Sequence, residues 1–166
     1  MNLSTALATL LLAAGITSAQ AATLTFTPDQ VGDIFCIATL AGDMSEIGGM
    51  LTPMLAETIT IAETRNAQFQ SQHLGDKPPL GDGLPWRSYP DFPDSCTVGA
   101  TTLTDDATGA SVEINYSFKA DPSANYTDTL QVKQTDGTDR FYQIEDIDQV
   151  DGQSFTAALA AALEDQ

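Results

Sequence analysis

The stretch DKPPLGDGLPWRSYPDFPD, Asp76 to Asp94, holds five of the chain's eight prolines and its only tryptophan. Proline fixes φ and removes a backbone donor, so no helix or strand runs through such a segment. It therefore divides the chain into two regimes. Before it, apolar residues recur at helical spacing. After it, they alternate with a period of two until a last helical stretch near the C-terminus. Helices first, consecutive strands next and a helix last predict an α+β fold: N-terminal helices packed on a curved antiparallel sheet of about four strands, with a C-terminal helix.

The helical half starts cleanly. In Thr27-Pro28-Asp29-Gln30 the threonine caps, proline takes the first helical position and glutamine closes a capping box. Val31, Ile34, Phe35, Ala38 and Leu40 follow as a buried stripe, and Gly42-Asp43 stops the helix. Asp43 caps a short second helix through Ile47, ended by Gly48-Gly49. Thr52 and Pro53 repeat the start signal, which predicts a third helix from Pro53 to about His73 with Gly75 at its end. Its stripe is Met54, Leu55, Thr58, Ile59, Ala62 and Phe69. The β-branched run Thr58 to Ile61 argues locally for a strand, but the caps and the longer period outweigh it.

Four strand signals follow the proline segment. Ser95 to Thr104 is rich in Thr and Val. Ala110 to Lys119 alternates fully, with Val112, Ile114, Tyr116 and Phe118 on one face. Tyr126 to Lys133 places Tyr126, Leu130 and Val132 together, with Asp128 interrupting the pattern. Arg140 to Ile147 is the fourth. Asp136-Gly137 is a hairpin turn signal, and the short connections predict a meander. Phe155, Ala158, Leu159, Ala162 and Leu163 form the stripe of the last helix.

Residues 1–21 read as a signal peptide. Leu7 to Ile16 is an apolar run too short to span a bilayer, and Ala19-Gln20-Ala21 predicts cleavage after Ala21. The expected product is a single domain, 22–166, periplasmic or secreted, without a membrane anchor, and monomeric or homodimeric. Its 42% hydrophobic content supports a real core, and 23 acids against 6 bases give a net charge of −17. That charge repels nucleic acid and anionic lipid and excludes both as partners. The two cysteines, Cys36 and Cys96, suit an oxidising compartment and are expected to form a disulfide. The bridge would be worth roughly 3–4 kcal/mol in the loop-entropy model.

The helix ending in His73-Leu74-Gly75-Asp76 before Pro78-Pro79, and the closing Tyr142-Gln143-Ile144-Glu145-Asp146-Ile147 with Gly152-Gln153-Ser154-Phe155, together resemble the nuclear-transport-factor-2-like (cystatin-like) superfamily. Within it they resemble exported bacterial proteins of unknown function. The resemblance spans essentially the whole mature chain. It implies the α+β architecture and export, and it implies no catalytic set. Enzymes of that superfamily use an Asp or His base in an apolar cone, which makes Asp33 and Asp128 the carboxylates to test and His73 the one possible centre of a His–Asp pair.

Other chemistry is thinly represented. Glu145, Asp146, Asp148 and Asp151 miss calcium-loop spacing, and strand alternation sends Glu145 and Asp146 to opposite faces. They read as turn carboxylates near a helix start. No metal or cofactor is implied. Trp86, Arg87, Tyr89 and Phe92 are residue types that anchor recognition surfaces, and long loops of this kind are commonly functional. The favoured reading is a non-catalytic module binding a small apolar ligand or a protein. The alternatives are an isomerase- or hydratase-like enzyme with a buried Asp base, and a periplasmic inhibitor or immunity protein for a basic partner.

Overall fold

In the computed structural model the described residues are 25–81, 83–135 and 141–164. The element order is α1 (Pro28–Ala41), a 3₁₀ helix (Met44–Met50), α2 (Pro53–Gln72), β1 (Ser95–Leu103), β2 (Gly109–Ser117), a single 3₁₀ turn (Pro122–Ala124), β3 (Tyr126–Gln134), β4 (Tyr142–Asp148) and α3 (Phe155–Glu164). The strands form one antiparallel sheet in the order β1-β2-β3-β4, so the α+β expectation holds. The signal-peptide reading and the Asp136-Gly137 turn fall outside the described residues. Among the described residues no helix is long and apolar enough to cross a membrane.

The helix starts form as the sequence predicts. Gln30 N–H donates to Thr27 Oγ1 at 3.3 Å and Thr27 N–H donates to Gln30 Oε1 at 3.0 Å, closing the capping box of α1. Thr52 Oγ1 accepts from Leu55 N–H at 3.3 Å at the start of α2. The β-branched run within α2 is accommodated because Thr58 and Thr60 donate their hydroxyls back to the carbonyls of Met54 and Ala56.

One face of the sheet carries the core. Val112, Ile114, Tyr116, Leu130, Val132, Ile144 and Ile147 are buried there against Val31 and Phe35 of α1, Leu55 and Ile59 of α2 and Phe155 and Leu159 of α3. Helix α1 lies on β1 and β2, while α3 packs on β4 and α2. Gly32 permits the close approach of α1: a Cβ there would meet Val98 Cγ2 at 2.8 Å. Cys36 and Cys96 sit at disulfide bonding distance, with Cα atoms 5.2 Å apart, and tie α1 to β1.

Three local expectations need correction. The 3₁₀ helix continues through Gly48-Gly49 to Met50, because Ile47 is buried at its middle, Leu51 is buried at its C-terminal end and Thr52 N–H bonds to the Ile144 carbonyl at 2.9 Å. Met54 and Leu40 lie off their stripes and are exposed. Strict alternation fails in β4: the register slips opposite Gln131 and Val132, so Ile144 and Ile147, three residues apart, both face the core.

The cross-link restrains the unfolded chain across 60 residues, so reducing it should lower the unfolding free energy by about 4 kcal/mol. Urea titrations of oxidised and reduced protein check this, and equal midpoints would contradict it.

Candidate functional site

The segment between α2 and β1 is fastened at several points. Leu80 N–H donates to Asn66 Oδ1 of α2 at 2.9 Å. The Pro85 carbonyl accepts from Gln149 Nε2 at 2.8 Å. The Trp86 ring stacks on Phe155 of α3 with centroids 4.7 Å apart. Asp94 Oδ2 accepts from Lys119 N–H at 2.7 Å, and Asp94 N–H reaches the Ser117 carbonyl at 2.9 Å.

The central fastening is Asp128. It lies on the inward face of β3 and is 0% exposed. Its Oδ2 accepts from Ser88 N–H at 3.1 Å and its Oδ1 accepts from the Ser88 hydroxyl. Ser88 Oγ in turn accepts from Val150 N–H, in the turn after β4, at 2.9 Å. One serine therefore joins the proline segment, the sheet and the approach to α3. Burying a carboxylate is costly unless donors meet it, and Ser88 provides two.

The surroundings of Asp128 are aromatic. Tyr116 and Tyr126 are directly paired across β2 and β3, next to the Ile114–Asp128 pair. Their rings are 4.6 Å apart, and Tyr89 meets Tyr126 edge-on at 5.0 Å. The hydroxyls of both Tyr116 and Tyr126 are buried without a protein partner, as is Arg87 Nη1. Burial pushes the Asp128 carboxyl above the usual carboxylate range, opposed by the Ser88 bonds, the Val150 amide and Arg87. Burial, then the Asp128 charge, raises the Tyr116 hydroxyl, and the same two causes push Tyr126 up to about 12. Both tyrosines stay protonated at neutral pH.

Two clefts flank the segment. The first, about 640 Å³, lies between the segment and the C-terminal end of α1 with the start of the 3₁₀ helix. Trp86, Arg87, Tyr89 and Phe92 all line it. Trp86 and Arg87 are half-buried, while Tyr89 and Phe92 are 50% and 66% exposed. Arg87 lies over the Phe92 ring, its guanidinium carbon 4.8 Å from the centroid. The second cleft, about 630 Å³, has Phe118 and Tyr126 in its wall together with the carboxylates Asp91, Asp94 and Asp121.

The remaining sequence candidates fall elsewhere. Asp33 is exposed on α1. His73 caps α2, with Nδ1 3.2 Å from the Phe69 carbonyl and its ring stacked on Phe69. Glu145 pairs with Lys133 at 3.6 Å, whereas Asp146 Oδ1 accepts from Thr156 N–H at 3.1 Å in the first turn of α3. The acidic run thus serves separate partners. Sequence reasoning missed Ser88 and Lys77, a second cation lining the first cleft. It flagged Asp128 from the break in strand pattern, but as a possible base rather than a fastening.

The chain matches no protein-family model, and no curated protein or solved structure matches it significantly.

Because the folded pKa of Asp128 lies above the ordinary value of 3.8, its contribution to stability is present in full below that value and is lost as pH rises through the folded pKa. Asp128→Asn, which stays neutral, should therefore gain stability relative to the wild type between pH 3 and pH 7. Urea midpoints of both proteins at the two pH values measure this; a gap that stays constant or moves the other way would sink it.

Proposed function

We propose that the protein is an exported, non-catalytic binding module whose site is the first cleft, formed where the proline segment lies against α1. The observation that carries this reading is the cleft itself: a concavity of about 640 Å³ walled by Leu80, Leu84 and Trp86 on a segment fastened to α2, the sheet and the turn before α3. Volumes of a few hundred cubic ångströms, mostly apolar and held by a rigid scaffold, suit small-molecule recognition. The cysteine pair at bonding distance supports an oxidising location.

The non-catalytic reading is supported over the buried-base alternative by the two carboxylates that the alternative needs. Asp33 is exposed. Asp128 directs both oxygens to Ser88 and is in neither cleft wall.

The neutral apolar probe N-phenyl-1-naphthylamine tests the site. Saturable one-to-one binding is expected, with quenching of Trp86. Leu84→Asp should weaken it by at least ~10-fold, since a charge in an apolar wall opposes burial. Failure of the wild type to saturate, or equal binding by a folded Leu84→Asp variant, would remove the cleft as the site.

A further inference from the structure

The first cleft departs from the charge pattern of the rest of the protein. The chain has 6 bases against 23 acids, yet Lys77 and Arg87 both line this cleft, and no Asp or Glu stands among its described lining residues. The second cleft shows the contrast, with three aspartates in its wall. Among the described residues neither Lys77 nor Arg87 has a carboxylate within 4.0 Å; the one ion pair at that distance joins Lys133 and Glu145. Arg87 donates through Nη2 to the Pro90 carbonyl at 3.1 Å, while its Nη1 is shielded from solvent without an acceptor. The nearby Asp128 carboxylate takes its hydrogen bonds from Ser88, and Arg87 acts on it only through its charge, so Nη1 keeps no acceptor.

The rest of the wall is largely apolar, with Met44, Leu80 and Leu84 prominent. Lys77 lies along the segment, its side chain packed over Gly81. A helix carries partial negative charge at its C-terminus. The end of α1 at Thr39 and Gly42 borders the cleft, which disfavours an anionic group on that side. Arginine presents a planar fork that matches a carboxylate, and lysine adds a mobile point charge.

We propose that this cleft takes a small amphipathic anion, an alkyl or aryl body ending in a carboxylate, with the charged end held by Arg87 and Lys77 and the body packed on Met44, Leu80 and Leu84. The inference rests on the cleft being a binding site and adds the chemical class of its ligand. A cleft made only for neutral apolar molecules would gain nothing from two cations that form no ion pair with a described carboxylate. A cleft made for a cation would not exclude carboxylates from its described wall.

Trp86 is the only tryptophan and lines the cleft, so its emission reports occupancy without a label. The full chain is titrated at pH 7 with octanoate, 1-octanol and octyltrimethylammonium, all below micelle-forming concentrations. Octanoate is expected to bind at least ~10-fold tighter than octanol, the worth of one charge-assisted hydrogen bond, and octyltrimethylammonium most weakly. Lys77→Gln and Arg87→Gln should each weaken octanoate by about 3–10-fold and leave octanol unchanged. Lys77→Gln removes none of the segment's observed hydrogen bonds, so it guards against loss of folding in the Arg87 variant. Saturable binding in which octanol equals octanoate, or in which the cation binds tightest, overturns the anion inference and leaves the cleft as a site. No saturable change with any of the three overturns both.

Discussion

A carboxylate on the core face of a sheet must find donors, and Asp128 finds them in a residue 40 positions away. Its two oxygens take the amide and hydroxyl of Ser88, whose Oγ then receives the Val150 amide. A buried ionisable group left without partners would destabilise the fold by several kcal/mol. The bond to Ser88 is therefore a requirement of having Asp128 where it is. It fixes how the proline segment crosses the end of the sheet, and it draws the turn after β4 toward the same point. Trp86 can then stack on Phe155, and the segment closes over the core near α3.

The clefts follow from that arrangement. With Ser88 held down, its neighbours Arg87 and Tyr89, together with Phe92, become walls of the first cleft. The opposing wall is the C-terminal end of α1, whose position on the sheet is set by Gly32, by its apolar stripe and by the Cys36–Cys96 link to β1. Helix α3 is set separately. Asp146 satisfies the Thr156 amide in its first turn, while Phe155 and Leu159 bury its apolar stripe. The same chain thus holds a dense acidic surface and one concavity whose described charged residues are both cationic.

Features governed by neighbours in sequence were readable from the sequence. The Thr27–Gln30 capping box, the Thr52-Pro53 start, the His73 cap and the alternation of β2 each depend on residues within a few positions, and each forms. Features governed by distant partners were not. The bulge in β4 is a matter of register against β3, and nothing in Tyr142 to Asp148 announces it. The continuation of the 3₁₀ helix through two glycines depends on burial of Ile47 and Leu51. The sequence marked the segment and its aromatics as a unit, because proline density and apolar content coincide there, and Trp86, Arg87, Tyr89 and Phe92 line one cleft. It marked Asp128 as anomalous without its purpose. A serine between Arg87 and Tyr89 carries no signal until the fold brings β3 beneath it.

Asp128 pins the proline segment to the sheet through Ser88. Hydrogen exchange of the Ser88 amide, followed by NMR in the native protein, tests it most directly. The structure predicts that the Ser88 and Val150 amides are protected together, with protection well above that of the exposed turn at Asp105–Thr108. Exchange of the Ser88 amide at the rate of an open chain, while β2 and β3 amides stay protected, would show that the segment is not held by Asp128 and would contradict the account.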